Sequence, residues 1–292
     1  MTEIPKYVVL EKMVGETPLF CAEAYRAEHP ELKGVPMAYA GRLDPMASGK
    51  LLILLGEECK NQTDYHGLDK EYEFSVLLGI ESDSLDVMGR LLTPISVNKS
   101  SDCVRLGMAA RDDQSEDLIA GCQSNIETVC AEFIGQIELP YPRFSAKTVQ
   151  GKPLHTWTME GRLDEIIIPT KESEIYELEF IKLENLTRHE VVEQALAKVN
   201  SVPPVTELRK ALGNDFRRVD VRKDWDDILN NESLPDTYQI AHLRCSASSG
   251  TYMRTLASIL AKELGTSGLA WHIKRTKIGH YDPSKNSWLY EY

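Results

Sequence analysis

The sequence has no apolar run long enough to cross a membrane, and its six cysteines are scattered without a Cys-x-x-Cys pair. The first six residues lack the charged start and the apolar core of a signal peptide. Scattered cysteines are typical of free thiols in a reducing compartment, so we expect a cytoplasmic protein. The chain also lacks a glycine-rich phosphate loop and a cluster of His and Cys ligands, which predicts neither a nucleotide cofactor nor a metal.

Positive charge is scarce as well. With 33 Lys and Arg against 45 Asp and Glu, the formal net charge is −12. This balance argues against nucleic-acid binding, which needs basic residues where the phosphates lie. A local basic face can nevertheless coexist with an acidic remainder, although each basic cluster alone is explained equally well as solvated surface. The basic clusters are Arg143, Lys147 and Lys152; Lys274, Arg275 and Lys277; and Arg217, Arg218, Arg222 and Lys223.

The rest of the composition is that of a folded globular protein. The 292 residues are 42% hydrophobic and 27% charged, enough for one large domain or two modest ones. Short apolar or alternating stretches predict strands over residues 7–10, 71–78, 176–180 and 243–245. The alternation at residues 71–78 is typical of a strand with one buried face. Spacings of three and four predict helices over residues 119–133 and 256–264, the second capped by Gly265. Without repeated βαβ units, these elements predict an α+β fold.

One stretch places a carboxylate in a turn. Residues 41–49 read GRLDPMASG, with Asp44 at the centre, and the apolar run LLILL follows at residues 51–55. A short apolar run closed by glycine predicts a buried element, strand or helix. Asp44 would then lie on a loop mounted on the core, where catalytic groups often lie. On its own the pattern is more typical of an ordinary turn, because Asp before Pro is a frequent turn pair.

Three further segments follow this one along the chain. They are KEYEF at residues 70–74 with SDSLDVMG at residues 82–89, PYPRFSAKTVQGK at residues 140–152, and SSGTYMRTL at residues 248–256. With residues 41–49 they resemble, in order, the motifs of the TruB family of pseudouridine synthases: its catalytic loop, its K-x-Y strand and following loop, its RNA-clamping segment and its S-x-G-T-Y-I-R-T-L block. The resemblance covers residues 5–188 and 238–281. It implies the pseudouridine synthase fold, a central mixed or antiparallel sheet flanked by helices and loops.

The resemblance also implies a reaction. The family isomerises uridine to pseudouridine in RNA by breaking the C1′–N1 bond, rotating the base and rejoining the sugar at C5. This chemistry needs a carboxylate nucleophile, a base and a pocket for a flipped-out uridine, and it needs no cofactor. By position, Asp44 matches the nucleophile and Arg254 matches the cation that pairs with it. Tyr72 matches the tyrosine that stacks on the flipped base or removes a proton.

Other residues match positions expected to bind the substrate. Tyr252 and Leu256 would line the same pocket, and Lys70 would contact the RNA backbone or order the loop. The phosphate contacts that we expect are Arg143, Lys147, Lys152, Lys274 and Arg275.

Two substitutions near the nucleophile depart from the family pattern. Tyr39 stands where His is common, which keeps a ring for stacking and loses the imidazole. Arg42 stands where a small residue is usual. The resulting string G-R-L-D is also typical of pseudouridine synthases that act on ribosomal RNA.

Two longer regions depart from the pattern as well. Residues 188–238 replace a short connection and contain candidate helices over residues 191–199 and 207–212. We expect an inserted arm or subdomain, and either a role in RNA binding or a surface decoration would explain it. The chain leaves no room for the C-terminal PUA domain of many bacterial relatives. We therefore expect a catalytic domain of residues 1–187 and 239–292 without that domain.

The leading hypothesis is a pseudouridine synthase that acts as a monomer on tRNA, at the T-arm uridine of position 55. Two alternatives stay open. A non-catalytic RNA-binding protein that helps tRNA to fold would keep the fold and lose the chemistry, and the presence of both Asp44 and Arg254 argues against it. An isomerase for a uridine of ribosomal RNA would keep both residues.

Overall fold

The computed structural model describes residues 4–92, 116–204 and 215–292. Within these ranges a nine-stranded sheet forms the centre of the molecule, and a separate hairpin lies outside it. The strands of the sheet are β1 (Tyr7–Lys12), β2 (Met37–Tyr39), β3 (Ala47–Leu55), β4 (Asp69–Leu78), β5 (Gly135–Pro140), β8 (Thr170–Thr187), β9 (Thr237–Ala247), β10 (Gly268–Asp282) and β11 (Ser287–Glu291). The hairpin pairs β6 (Thr148–Val149) with β7 (Lys152–Pro153).

Strand β10 joins the two halves of the sheet. The spatial order is β1-β3-β10-β4-β9-β8-β5, with β2 beside β3 and β11 beside β10. Strand β10 runs parallel to β3 and antiparallel to β4, and the other pairs along this path are antiparallel. The sheet is therefore mixed and the fold is α+β, as the sequence predicted.

Helices flank the sheet. The α-helices of the described residues are α1 (Pro18–Glu28), α2 (Gln62–His66), α3 (Glu116–Glu132), α4 (Leu154–Met159), α5 (Arg188–Ser201), α6 (Arg218–Asn230) and α7 (Met253–Glu263). Helices α3, α5 and α7 confirm three helices that the sequence predicted, whereas the helix predicted over residues 207–212 lies outside the described residues. No described helix has both the length and the apolar character needed to cross a membrane.

The end of α7 confirms the predicted glycine cap. Gly265 has a positive φ of 77°, which glycine adopts without strain. The N–H of Thr266 donates to the carbonyl of Ala261 at 3.0 Å, and the N–H of Gly265 donates to that of Lys262 at 2.9 Å. These two bonds form a Schellman motif, which pairs carbonyls that the helix leaves without a partner.

Strand β4 is buried more fully than its alternating sequence predicts. One polar face was expected in solvent, yet Glu71 and Ser75 are buried along with the apolar face, while Glu73 is exposed. The carboxylate of Glu71 accepts from the hydroxyl of Thr276 at 2.7 Å and from Nζ of Lys277 at 3.0 Å. Strand β4 lies between β10 and β9, and partners on the neighbouring strand cover its polar side chains, which the local pattern cannot reveal.

The helices of residues 188–238 share the core of the sheet. Their buried apolar side chains belong to the same hydrophobic cluster as those of β4 and β9, namely Val191, Val192, Ala195 and Val199 of α5, and Val221, Trp225 and Ile228 of α6. The Trp225 ring lies 6.3 Å from the ring of Trp271 on β10, edge to face. Its indole N–H donates to the carbonyl of Val87 at 3.3 Å. These helices therefore contribute to the packing of the whole domain.

This packing predicts a large effect of truncating Trp225, whose side chain is fully buried. We expect Trp225→Ala to lower the free energy of unfolding by about 3–5 kcal/mol, because it leaves a cavity in the shared core. Val219→Ala on the same helix is the control, since Val219 is exposed and its loss should change the stability by less than about 0.5 kcal/mol. Urea denaturation measures both, and equal values would contradict a shared core.

Candidate active site around Asp44 and Arg254

The loop that carries Asp44 is fixed at both ends. It connects β2 to β3, and the buried side chains of Leu43 and Met46 attach it to the core on either side of Asp44. The N–H of Ala47 donates to the carbonyl of Asp44 at 3.0 Å and closes the turn. At Gly49, with φ of 104°, a Cβ would lie 2.2 Å from the carbonyl oxygen of Arg275. Only glycine therefore permits β3 to approach β10 this closely directly after the loop.

Arg254 forms an ion pair with Asp44 from the buried side of the site. It occupies the first turn of α7, and its Nε lies 2.8 Å from Oδ2 of Asp44. The Arg254 side chain is 5% exposed and the Asp44 side chain is 44% exposed. The buried cation thus contacts one side of the carboxylate and leaves another side open to solvent.

Two other loops supply the remaining partners of the Arg254 guanidinium. Its Nη1 donates to the carbonyl of Ser84 at 2.9 Å and lies 3.6 Å from Oδ2 of Asp86. Its Nη2 donates to the carbonyl of Phe144 at 3.2 Å. Burial lowers the pKa of Arg254, but the carboxylates of Asp44 and Asp86 more than offset this effect, so the net shift is upward. The guanidinium is therefore charged at every physiological pH.

Asp86 is a site residue that the sequence reasoning did not select. Its buried carboxylate accepts from the hydroxyl of Ser84 at 2.6 Å and from the N–H of Met88 at 3.0 Å. Burial raises its pKa, while Arg254 acts in the opposite direction. Asp86 lies inside the family-like segment of residues 82–89, which is the signal that could have identified it.

Two tyrosines adjoin the ion pair. Tyr72 on β4 is half-buried, and burial raises its pKa, with Arg275 acting in the opposite direction. Tyr252, just before α7, meets the ring of Tyr141 edge to face at 5.3 Å, and burial raises its pKa as well. Both phenols are therefore neutral near pH 7. The charge of Asp44 acts on both rings, so they place aromatic surface near this carboxylate.

Leu256 does not line an open pocket, contrary to the expectation from sequence. It lies one helical turn beyond Tyr252, and its N–H donates to the Tyr252 carbonyl at 3.0 Å. Its side chain has no exposed surface and belongs to the main core. Leu256 therefore supports the site from within the protein.

Arg275 was expected to contact RNA, and Lys70 was expected to contact the RNA backbone or to order the loop, but the structure buries both. Nζ of Lys70 donates to the carbonyls of His66 and Leu68, and burial lowers its pKa to about 8. Arg275 is 1% exposed, and its guanidinium donates to the carbonyl of Lys50 at 2.8 Å and to that of Gly41 at 3.4 Å. Arg275 thus holds the backbone at Gly41 and Lys50, on either side of Asp44, and Lys70 holds the segment before β4. Neither side chain reaches the surface.

The other predicted cations differ in whether a carboxylate pairs with them. Arg143 and Lys147 are exposed, and Nζ of Lys147 lies 4.9 Å from the centre of the Tyr141 ring. Lys152 lies against the Trp157 ring at 4.3 Å and is neutralised by Glu160, 2.6 Å away. Arg143 and Lys147 thus lie at the rim of the site, whereas Lys152 forms an ion pair with Glu160.

Lys274 lies on the wrong face of the sheet for the predicted contact. On β10 it pairs with Glu73, whereas its neighbour Arg275 pairs with Tyr72. Because successive side chains of a strand point to opposite faces, Lys274 is on the face away from Tyr72.

Near the Asp44 loop, Tyr39 and Arg42 lie close together, with the guanidinium of Arg42 5.9 Å from the Tyr39 ring centre.

Lys12 is a second residue that the sequence reasoning missed. It is fully buried, and its Nζ donates to the carbonyl of Ala47 at 2.5 Å and to that of Met13 at 3.1 Å. Burial lowers its pKa to about 8, although Glu16 and Asp44 raise it. The only sequence signal was a lysine at an inward position of the alternating strand β1.

Within the described ranges, no three His, Cys, Asp or Glu side chains are grouped as they would be to hold a metal ion. The carboxylates of the site instead face a guanidinium, so the arrangement provides one oriented nucleophile, a fixed cation and aromatic surface.

Comparison with known proteins places the chain among RNA-modifying enzymes. Residues 32–197 match the family model described as TruB family pseudouridylate synthase (N terminal domain). Over 95% of its length the chain is 28% identical to tRNA pseudouridine synthase 4 of Saccharomyces cerevisiae, covering 68% of that protein. Over 94% of its length the chain is 26% identical to tRNA pseudouridine synthase B of Caldicellulosiruptor saccharolyticus and covers 68% of that protein. Over 86% of its length it is 27% identical to tRNA pseudouridine synthase B of Aromatoleum aromaticum and covers 56% of that protein.

A solved structure also aligns with the chain. It is a chain in the crystal structure of a Cbf5-Nop10-Gar1 complex, with 15% sequence identity and a TM-score of 0.48. The alignment covers 94% of this chain and 48% of that one.

Proposed function

The chain belongs to the TruB family of pseudouridylate synthases, and from this premise we propose that it converts a uridine of tRNA to pseudouridine, at the T-arm position 55. The observation that carries the proposal is the contact of 2.8 Å between Nε of Arg254 and the carboxylate of Asp44. A nucleophile must be oriented and must also be accessible. Asp44 meets both conditions, because a buried cation holds one side of its carboxylate while another side is open.

The reaction is an isomerisation and needs no external reagent. The C1′–N1 bond breaks, the base rotates, and a C1′–C5 bond forms. The proton on C5 leaves and N1 gains one, so the atoms of the nucleotide are conserved. In the proposed mechanism Asp44 is the nucleophile that assists the exchange of bonds, and the cation of Arg254 stabilises charge on the carboxylate.

Tyr72 is proposed to stack on the flipped base. Burial raises its pKa, so the phenol keeps its proton near neutral pH and presents an uncharged ring. Removal of the C5 proton by Tyr72 would therefore have to be concerted with release of its own proton. Tyr252 would extend the same aromatic surface.

The choice of tRNA rests on the relatives and on the rim of the site. The curated relatives carry the name tRNA pseudouridine synthase. Lys147 lies against the Tyr141 ring, and the Tyr141 ring contacts that of Tyr252, two residues before Arg254. The segment of residues 140–152 therefore adjoins the site. A phosphate chain that passes Arg143 and Lys147 could deliver a flipped base to Asp44. Asp44, Tyr72 and Arg254 come from one chain, and we propose a monomer that acts in the cytoplasm.

The first prediction concerns the nucleophile. We expect Asp44→Asn to abolish isomerisation and to leave RNA affinity almost unchanged, because the amide has the same shape and lacks the nucleophilic charge. Pseudouridine formed in a purified T-arm transcript measures activity, and filter binding measures affinity. Asp64→Asn on α2 is the control, since this carboxylate is exposed. Turnover by Asp44→Asn would refute the proposed role.

The wild-type protein also distinguishes the alternatives in the same assay. Tight binding of tRNA without product would favour the folding chaperone. Product in ribosomal RNA and none in tRNA would favour the other isomerase.

A second prediction separates the ring of Tyr72 from its hydroxyl. We expect Tyr72→Phe to lower the single-turnover rate by about 10²- to 10⁴-fold, as for loss of a proton-transfer group, with affinity retained. Tyr72→Ala should also weaken binding, by about 1–3 kcal/mol, because the stacking surface is lost. A wild-type rate for Tyr72→Phe would exclude the proton-transfer role and leave the stacking role.

A third prediction uses salt to find the phosphate contacts. Each neutralised phosphate of a duplex contributes about −0.9 to the slope of log affinity against log salt. We expect Arg143→Ala and Lys147→Ala each to flatten the slope by about that amount, since both side chains are exposed at the rim. Lys152→Ala should flatten it less, because Glu160 already neutralises Lys152. Lys274→Ala should leave it unchanged, because Lys274 lies on the far face. If all four variants changed the salt slope equally, this arrangement of phosphate contacts would be wrong.

A further inference from the structure

The arginines of the insertion are engaged with the protein itself. Arg218 is buried and bonds to the carbonyls of Val202 and Pro203, the latter at 2.8 Å. Nε of Arg222 donates to the side chain of Asn200 at 2.7 Å. Arg217 pairs with Asp83, in the loop that follows β4. These contacts engage the three arginines of the basic cluster, whereas Lys223 is exposed. The contact of Arg217 connects the insertion with the loop after β4.

Helix α6 contacts the loop of residues 82–91 through Asp224. The carboxylate of Asp224 accepts from Nε of Arg90 at 2.6 Å, from Nη2 of Arg90 at 3.1 Å and from the N–H of Leu91 at 3.0 Å. The loop is closed upon itself, because the N–H of Asp83 donates to the carbonyl of Arg90 at 3.1 Å. Two-point pairing with a guanidinium fixes geometry as well as charge, so Asp224 sets the position of this end of the loop.

Arg217 contacts two loops at once. Its guanidinium pairs with Asp83 and lies 4.5 Å from the centre of the Phe144 ring. Its backbone is left-handed with φ of 70°, and Asp215 and Phe216 before it have φ of 47° and 49°. Such residues carry a strain of about 1–3 kcal/mol each and persist where surrounding contacts impose them. The strained turn aims Arg217 at the two loops.

Both loops supply the partners of Arg254. Ser84 and Asp86 belong to the loop held by Asp224, and the Phe144 carbonyl belongs to the residue on which Arg217 lies. We propose that Arg217 and Asp224 are positioning residues, which set the orientation of Arg254 and hence of Asp44 from the insertion. The inference rests on the proposed function of the site. It makes the insertion a part of the catalytic framework and not an RNA-binding arm.

The test uses the full chain and alanine variants of the two residues. We expect Arg217→Ala and Asp224→Ala each to lower the single-turnover rate at saturating RNA by about 10- to 100-fold, the range for a small displacement of catalytic groups. RNA affinity and its salt slope should remain those of the wild type. Asp227→Ala is the matched control, because Asp227 is an exposed acidic residue of the same helix.

A second readout is independent of catalysis. The Nε–H of Arg254 gives an NMR signal that Arg254→Lys identifies by its loss. We expect this signal to shift, and its hydrogen to exchange faster, in Arg217→Ala and Asp224→Ala but not in Asp227→Ala. Arg217→Lys and Asp224→Asn retain part of each contact, so their rates should be intermediate, and they carry the test where an alanine variant fails to fold.

Three results would overturn the inference. One is a wild-type rate at saturating RNA in both alanine variants, and another is an unchanged Arg254 signal. The third is weaker binding with a flatter salt slope and an intact rate, which would identify an RNA-binding arm. An inactive wild-type protein would instead refute the proposed function, while the NMR signal would still report whether the insertion positions Arg254.

Discussion

The pairing of the buried Arg254 guanidinium is the interaction on which the site depends. A buried cation is strongly unfavourable unless charges and hydrogen-bond acceptors surround it. Here the charges and acceptors come from three loops that are distant along the chain: the carboxylates of Asp44 and Asp86 form ion pairs, and the carbonyls of Ser84 and Phe144 accept hydrogen bonds. Each loop must therefore adopt its position for the others to be stable. The requirement to compensate one charge assembles the site from separate segments.

Other buried cations surround the same loop in a similar way. Lys12, Lys70 and Arg275 have little exposed surface. Lys12 donates to the carbonyl of Ala47 and Arg275 to that of Gly41, on either side of Asp44, while Lys70 donates to that of Leu68 just before β4. Positive charge is thus concentrated inside the protein around the carboxylate, while the chain as a whole carries a net charge of −12. The net charge of the whole chain therefore does not describe the electrostatics at Asp44. What matters at the site is the local field, which a few desolvated cations dominate.

Much of the fold could be predicted from the sequence, because periodicity and caps are local properties. Helix α7 and its Gly265 cap are an example, as is the position of Asp44 in a loop before a buried element. The run of residues 51–55 left strand and helix both open, and its pairing with β1 and β2 shows a strand.

The errors concern charged residues and depend on contacts that are distant in sequence. Arg275 looked like one member of a surface cluster, and its burial follows from the approach of β3 at Gly49. Lys274 differs from it by one position and points to the other face, which only the strand register reveals. Trp225 was hidden in a charged stretch, because helix α6 buries one narrow side and exposes Asp226 and Asp227. Local composition carries none of this information.

The core that residues 188–238 share with the sheet has a consequence for related chains. Trp225 and its apolar neighbours on α5 and α6 fill space against β10 and the loop after β4. A chain that loses these helices exposes that surface and leaves Arg90 without its two carboxylate partners, Asp220 and Asp224. Gain or loss of the segment therefore demands simultaneous substitutions around Val87, Arg90 and Trp271. We expect these positions to change together among homologues, according to whether residues 188–238 are present.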